Sequence, residues 1–138
     1  MTTTELIPVT FNKIMQSKSY TAIVLGNEHK KFAIYVEPKV GKTLQLFFTD
    51  EKTTRPLTHE LCNSIFENFT IRILQVVIHQ CEGSTYFARL FLEQQIEERR
   101  DVIEIDARPS DCITFALMQN APVFCSKEVF DQTIPFME

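Results

Sequence analysis

Two short runs carry most of the chemistry open to this chain: Arg55-Pro56-Leu57-Thr58-His59-Glu60 and Asp106-Ala107-Arg108-Pro109-Ser110-Asp111. Six Arg and six Pro in 138 residues would give about a quarter of one Arg-Pro pair by chance. Two such pairs, each followed by hydroxyl and acidic residues, are therefore a modest enrichment. Each reads as a helix start. A helix start offers unpaired N–H groups and partial positive charge, which suits phosphate. Arg55 and Arg108 would add bidentate forks to the same oxygens, with the hydroxyls of Thr58 and Ser110 beside them. His59 is a candidate general base or acid. Asp106 and Asp111, together with Glu60 and His59, make a set of oxygen and imidazole groups that could hold a hard divalent cation such as Mg. Such an ion would generate a hydroxide nucleophile and screen a phosphodiester. The competing reading is a non-catalytic ligand-binding or protein-interaction module. There Thr58 is only an N-cap, Asp111 a helix-start acid, and the arginines partners of Glu60, Asp106 or Asp111.

Those runs must be positioned by flanking elements. Val9–Met15, Tyr20–Gly26 and Lys31–Val36 read as strands joined by polar turns, and Pro38 ends the third. Val40–Phe48 leans towards a short helix. The helix opened by Arg55-Pro56 carries Leu61, Ile65, Phe66 and Phe69 at helical spacing. Strands follow from Ile71 to about His79 and from Thr85 to Glu93, around a Glu82-Gly83-Ser84 turn. In the second, Tyr86, Ala88, Leu90 and Leu92 share one face, with Arg89 and Glu93 on the other. Glu97–Asp101 reads as a solvated charged loop. Val102–Ala107 alternates, with Ile103, Ile105 and Ala107 on one side and Glu104 and Asp106 on the other. A largely apolar helix then runs from Pro109 to about Gln119, central and buried. Ala121–Cys125 is a short strand and Lys127–Phe130 a turn of helix. The expected fold class is α+β. It is a single domain over residues 1–138, with a mostly antiparallel or mixed sheet, or a partial barrel, packed with two main helices.

Composition narrows the function. Three Gly, with neither G-x-G-x-x-G nor G-x-x-x-x-G-K-[ST], leave out the common nucleotide-binding loops. Cys62, Cys81, Cys112 and Cys125 are scattered, without the spacing of zinc sites or disulfide frameworks. A reducing, cytoplasmic compartment is expected. Met1–Leu6 has no basic region before an apolar stretch, so no signal peptide is expected, and no apolar run is long enough to span a membrane. The net charge of −4 confines any nucleic-acid surface to a local patch. Lys30 to Arg55 is the most basic stretch, and as a rule such a stretch is a solvated face. His29 reads as exposed and His79 as a satisfied strand-edge histidine.

Arg55-Pro-Leu-Thr-His-Glu-Leu61, Val77-Ile-His79, Thr85-Tyr-Phe-Ala-Arg-Leu90, Ile105-Asp-Ala-Arg-Pro-Ser-Asp111 and Ala121-Pro-Val-Phe124 follow one another in this order. In that succession the chain resembles the bifunctional nuclease domain family, from the first strands to about Asp131. The resemblance implies a compact α+β domain with strands around packed helices, often a homo-oligomer (a dimer or trimer). The family's name reflects cleavage of both DNA and RNA. The polar positions that match are Arg55, Thr58, His59, Glu60, Asp106, Arg108, Ser110 and Asp111. One position departs. Family members often read Ile-Gly-x-x-Glu where this chain has Val36-Glu-Pro-Lys-Val40, so Val40 stands in place of a carboxylate. A metal site that needs that carboxylate would be weakened or lost here.

Overall fold

A computed structural model of the chain describes residues 5–137. The signal-peptide reading of the N-terminus falls mainly on Met1–Thr4, outside that range. Two antiparallel meanders form the frame. One comprises β1 (Leu6–Gln16), β2 (Thr21–Gly26) and β3 (Lys31–Val36); the other comprises β4 (Ile71–Glu82), β5 (Thr85–Ile96) and β6 (Arg99–Ala107). A short strand, β7 (Val123–Ser126), joins them, antiparallel to β1 and parallel to β4. The result is one mixed sheet in the order β3-β2-β1-β7-β4-β5-β6, open at β3 and β6. The fold is α+β, as expected. Strand β2 is buried at all six positions, which is why Thr21-Ala-Ile-Val-Leu reads as a continuous run without alternation.

Three helices of eleven residues pack on this sheet: α1 (Pro38–Phe48), α2 (Thr58–Asn68) and α3 (Pro109–Gln119). A fourth, α4 (Lys127–Gln132), follows β7 directly. α3 is the central one. Its Cys112, Ile113, Phe115 and Ala116 join the core with Ala88, Leu90 and Leu92 of β5 and with Val76 and Ile78 of β4. Among the described residues no helix is long and apolar enough to cross a membrane.

Several expectations are corrected by packing. Leu61, Ile65 and Phe69 have helical spacing but are 57%, 47% and 62% exposed. Only Phe66 of that set turns inward, against Phe115 at 5.6 Å. The charged loop expected at Glu97–Asp101 shrinks to a turn at Glu97-Glu98, and Arg99–Asp101 already belong to β6. Glu93, read only as lying on the face opposite Leu90 and Leu92, is 3% exposed because guanidinium groups cover it. Arg72 Nε donates to one of its oxygens at 2.9 Å and Arg100 Nε to the other, and these bonds hold its carboxyl below the ordinary range. Lys30, from the basic stretch, donates instead to the backbone carbonyls of Phe130 and Thr133, the latter at 3.0 Å.

Thr70 follows the C-cap of α2 with φ 56, in the left-handed region. A β-branched residue is disfavoured there, whereas glycine is the usual helix stop. Thr70→Gly is therefore expected to raise stability by about 1 kcal/mol, read as a higher denaturant midpoint at unchanged m-value. A lower midpoint would show that the threonine side chain has compensating contacts.

Candidate functional site at the starts of α2 and α3

The site forms where two helix starts, far apart in sequence, face each other. Arg108 is the N-cap of α3 in extended geometry (φ −63, ψ 142) and Pro109 its first helical residue, so Asp111 falls in the first turn. There a carboxylate is favoured by the positive end of the helix. His59 lies in the first turn of α2. His59 Nε2 and Asp111 Oδ1 are 2.9 Å apart, across a separation of 52 residues. Arg108 closes on the same carboxylate from the other side, Nε to Oδ2 at 2.8 Å and Nη2 to Oδ1 at 3.2 Å. The imidazole is held between two rings, Phe47 at 5.9 Å and Phe115 at 5.0 Å between centroids. The His59 and Asp111 side chains keep 18% and 26% exposure, and that of Arg108 keeps 68%. They line a cleft of about 200 Å³ with Lys39, Val40 and Thr43. Ser110, itself 4% exposed, lines it too. At Val40, Arg108 and Ser110 this cleft meets a larger one of about 590 Å³.

The hydrogen bond from His59 is the largest influence on Asp111, followed by burial, which opposes it, and then by Arg108; together they lower its pKa from 3.8 to about 2. A carboxyl held below its unfolded value stabilises the fold fully above about pH 4, and that contribution disappears as pH falls towards 2. Allowing for solvent screening, this is on the order of 1 kcal/mol. Asp111→Asn is thus expected to lose most of its stability deficit relative to the parent when denaturant midpoints are compared between pH 6 and pH 2.5. A deficit of constant size over that range would remove the assignment.

The remaining sequence candidates lie elsewhere. Glu60 reaches back to accept from the backbone N–H of Leu57 at 2.9 Å and also meets the Thr53 hydroxyl at 3.3 Å. It ties down the helix start, outside the His59 cleft. Thr58, expected at the N-cap, is instead the first helical residue, and Leu57 is the cap. Pro56 therefore precedes the cap, whereas Pro109 follows one, and the two Arg-Pro pairs are not equivalent. Arg55 and Thr58 are exposed and do not line the His59 cleft. Asp106 stands opposite Arg89 in the β5–β6 register, on the sheet face away from Leu90 and Ile105. On that face Arg89 donates to Glu104 and approaches His79 Nε2 at 3.4 Å. Burial first, and then Arg89, lower the pKa of His79.

This separation bears on the cation expected between Asp106 and Asp111. The two carboxylates occupy different surroundings, and both oxygens of Asp111 already accept N–H donors. Among the described residues no group of three or more His, Cys, Asp or Glu side chains is placed to hold a metal. The donor set does not fit a protein-held divalent ion. The residues sequence reasoning missed are Phe47, Phe115, Lys39 and Thr43, which carry no local motif. Val40, noticed only as a departure from a pattern, proves to line both clefts.

Comparison with known proteins places the chain. The family model of the bifunctional nuclease domain matches residues 23–137. Two curated proteins of Mycobacterium tuberculosis are similar to it: the uncharacterized protein MT1877 of strain CDC 1551 / Oshkosh and the uncharacterized protein Rv1829 of strain ATCC 25618 / H37Rv. Each is 22% identical over 122 residues, covering 87% of this chain and 70% of the relative. The matched span includes most of the sheet, all four helices and both segments that meet at His59 and Asp111, and the chain belongs to the bifunctional nuclease domain family.

Proposed function

We propose that this chain hydrolyses phosphodiester bonds of DNA or RNA at the His59–Asp111–Arg108 cleft. The observation that carries the reading is the 2.9 Å contact between His59 and Asp111 in an accessible cleft shared with an arginine. An Nε2–H donated to Asp111 leaves Nδ1 with its lone pair, so the carboxylate sets the tautomer of a general base. Nδ1 would take a proton from water as the water oxygen bonds to phosphorus. The bond from phosphorus to the leaving oxygen then breaks, and the imidazolium returns the proton to that oxygen. Asp111 stabilises the imidazolium in between. The guanidinium N–H groups of Arg108 not used by Asp111 would face the charge that develops on the phosphoryl oxygens.

The test is cleavage of single- and double-stranded DNA and RNA by purified protein, with and without EDTA, beside Asp111→Asn to expose contaminating nucleases. Cleavage that survives EDTA and disappears in Asp111→Asn supports the reading. Loss on chelation would assign a divalent cation such as Mg to the reaction, carried in by the substrate phosphates. A second reading, a non-catalytic ligand-binding or interaction module, has its own support: both Asp111 oxygens are occupied, Glu60 braces a helix start, and Val40 replaces the usual carboxylate. Wild-type protein without activity on all four substrates would favour it.

Homo-oligomerisation is part of the same proposal. Its support is the exposed apolar stripe of α2 together with the open edge strand β6, where Ile103 and Ile105 are 55% and 42% exposed. Light scattering reads it directly. A cytoplasmic location is likewise proposed, on the support of four free thiols.

A further inference from the structure

The chain has twelve Phe, three Tyr and no Trp. The phenylalanines serve largely as packing rings, whereas all three tyrosines line the same cleft of about 590 Å³. Tyr86 forms its inner part, stacked on Phe32 at 6.0 Å. Tyr20 and Tyr35 stand at the rim, 46% and 56% exposed, with ring centroids 5.1 Å apart and planes at 82°. Edge-to-face contact steadies the pair while leaving ring faces open to solvent. The cleft is also lined by Ser19, Glu37, Ser84 and Thr85, and it meets the His59 cleft at Val40, Arg108 and Ser110. An aromatic platform next to a guanidinium and a hydrolytic pair matches a chain of alternating bases and phosphates. Duplexes keep their bases stacked inward, whereas a single strand can lay its bases on such rings.

We propose that this tyrosine cleft binds the bases of a single-stranded nucleic acid, with Tyr20 and Tyr35 as the stacking platform for nucleotides next to the phosphate held at Arg108. The inference rests on the phosphodiesterase reading and narrows it to single strands. It also explains why an acidic chain could take such a ligand. Stacking supplies attraction that does not depend on net positive charge, and it is joined by Arg108, which both clefts share, and Lys39 of the smaller cleft, beside the carboxylates of Asp111 and Glu37.

The experiment uses the full chain with His59→Ala, which keeps strands intact. Fluorescence anisotropy compares a labelled ~12-nucleotide oligothymidylate with a blunt duplex of the same length. The single strand is expected to bind at least about 10-fold more tightly, and Tyr20→Ala and Tyr35→Ala each to weaken it about 10-fold. Tyr35→Phe, which keeps the ring, should stay within about 2-fold. Both tyrosines are exposed, so these variants are expected to fold, and a thermal melt checks this. Unaltered oligonucleotide affinity in folded Tyr20→Ala and Tyr35→Ala proteins, in a chain that still cleaves when His59 is restored, overturns the stacking proposal and leaves the hydrolase standing. Tyrosine-dependent binding without any cleavage by wild type supports the platform and removes the hydrolase. Loss of self-association in Tyr35→Ala with no effect on oligonucleotide affinity would make the cleft a contact between copies and overturn the proposal.

Discussion

Replacing His59 by Ala is expected to lower phosphodiester cleavage by at least about 100-fold, mostly in kcat, because removing a positioned general base forfeits that much. Asp111→Asn should fall by a similar factor. An asparagine can keep the contact to Nε2 but favours the wrong tautomer and cannot balance the imidazolium charge. The double variant should be little worse than either single one, since the two groups act as a unit. Asp106→Asn is the informative control. It matches the same sequence run, yet it lies on the other sheet face beside Arg89, and its rate should stay within about 2-fold of the parent. Glu60→Gln should act through stability, because its contact is to the backbone N–H of Leu57. Initial rates on a labelled single strand, with a thermal melt of each variant, separate these outcomes. Wild-type rates in both His59→Ala and Asp111→Asn would move the chemistry elsewhere.

Gly41→Ala is the second large effect, and it falls on the frame of the site. A Cβ at position 41 would stand 2.0 Å from Oγ1, 2.4 Å from Cβ and 2.5 Å from Cγ2 of Thr21. Thr21 is fully buried in β2, and its hydroxyl has no hydrogen-bond partner among the described residues. Neither neighbour has room to yield, since one is helix backbone and the other a β-branched side chain on an interior strand. Overpacking of this severity costs about 3 kcal/mol or more, and the helix preference of alanine returns at most about 1 kcal/mol of that. The thermal midpoint should fall by roughly 10 °C. Function should suffer as well. α1 carries Lys39 and Val40, so displacing it opens both clefts at the wall shared with Arg108. Thr21→Gly in the Gly41→Ala background removes all three clashing atoms and should recover part of the loss. No recovery at all would place the strain elsewhere.

The same pair of residues marks a boundary in what could be read beforehand. From the sequence, Gly41 is a weak residue inside a doubtful helix, and nothing local indicates that α1 approaches β2 closely enough to exclude a methyl group. α1 and β2 are separate segments with their own periodicities, and the distance between them is decided by how α1 packs on α3 and how β2 is held between β1 and β3. The exposed stripe on α2 is a comparable case. Its spacing announces one apolar face, but spacing does not say how far that face can reach the core. Of that stripe, Phe66 is the member that reaches Phe115.

Asp106 was more legible than it first looks. Its alternation with Ile105 and Ala107 already puts it opposite the face that α3 covers, so strand parity alone separates it from Asp111. Pattern matching across the Arg-Pro run hides this, because it counts neighbours along the chain and ignores the turn between strand and helix. The three tyrosines are similar: their rarity beside twelve phenylalanines was visible, but not that they share one cleft.

What the amino-acid sequence determined by itself is local. Hydrophobic period, proline and turn chemistry specify the strands, the buried third helix, the two helix starts and the α+β class, since each depends on contacts a few residues apart. The pairing of His59 with Asp111, the placing of Arg55 outside their cleft, and the joining of the tyrosine cleft to that pair were decided only by tertiary structure. They depend on two helix starts 52 residues apart being brought together by the packing of α2 and α3 on each other and on β4, and no local preference encodes that distance.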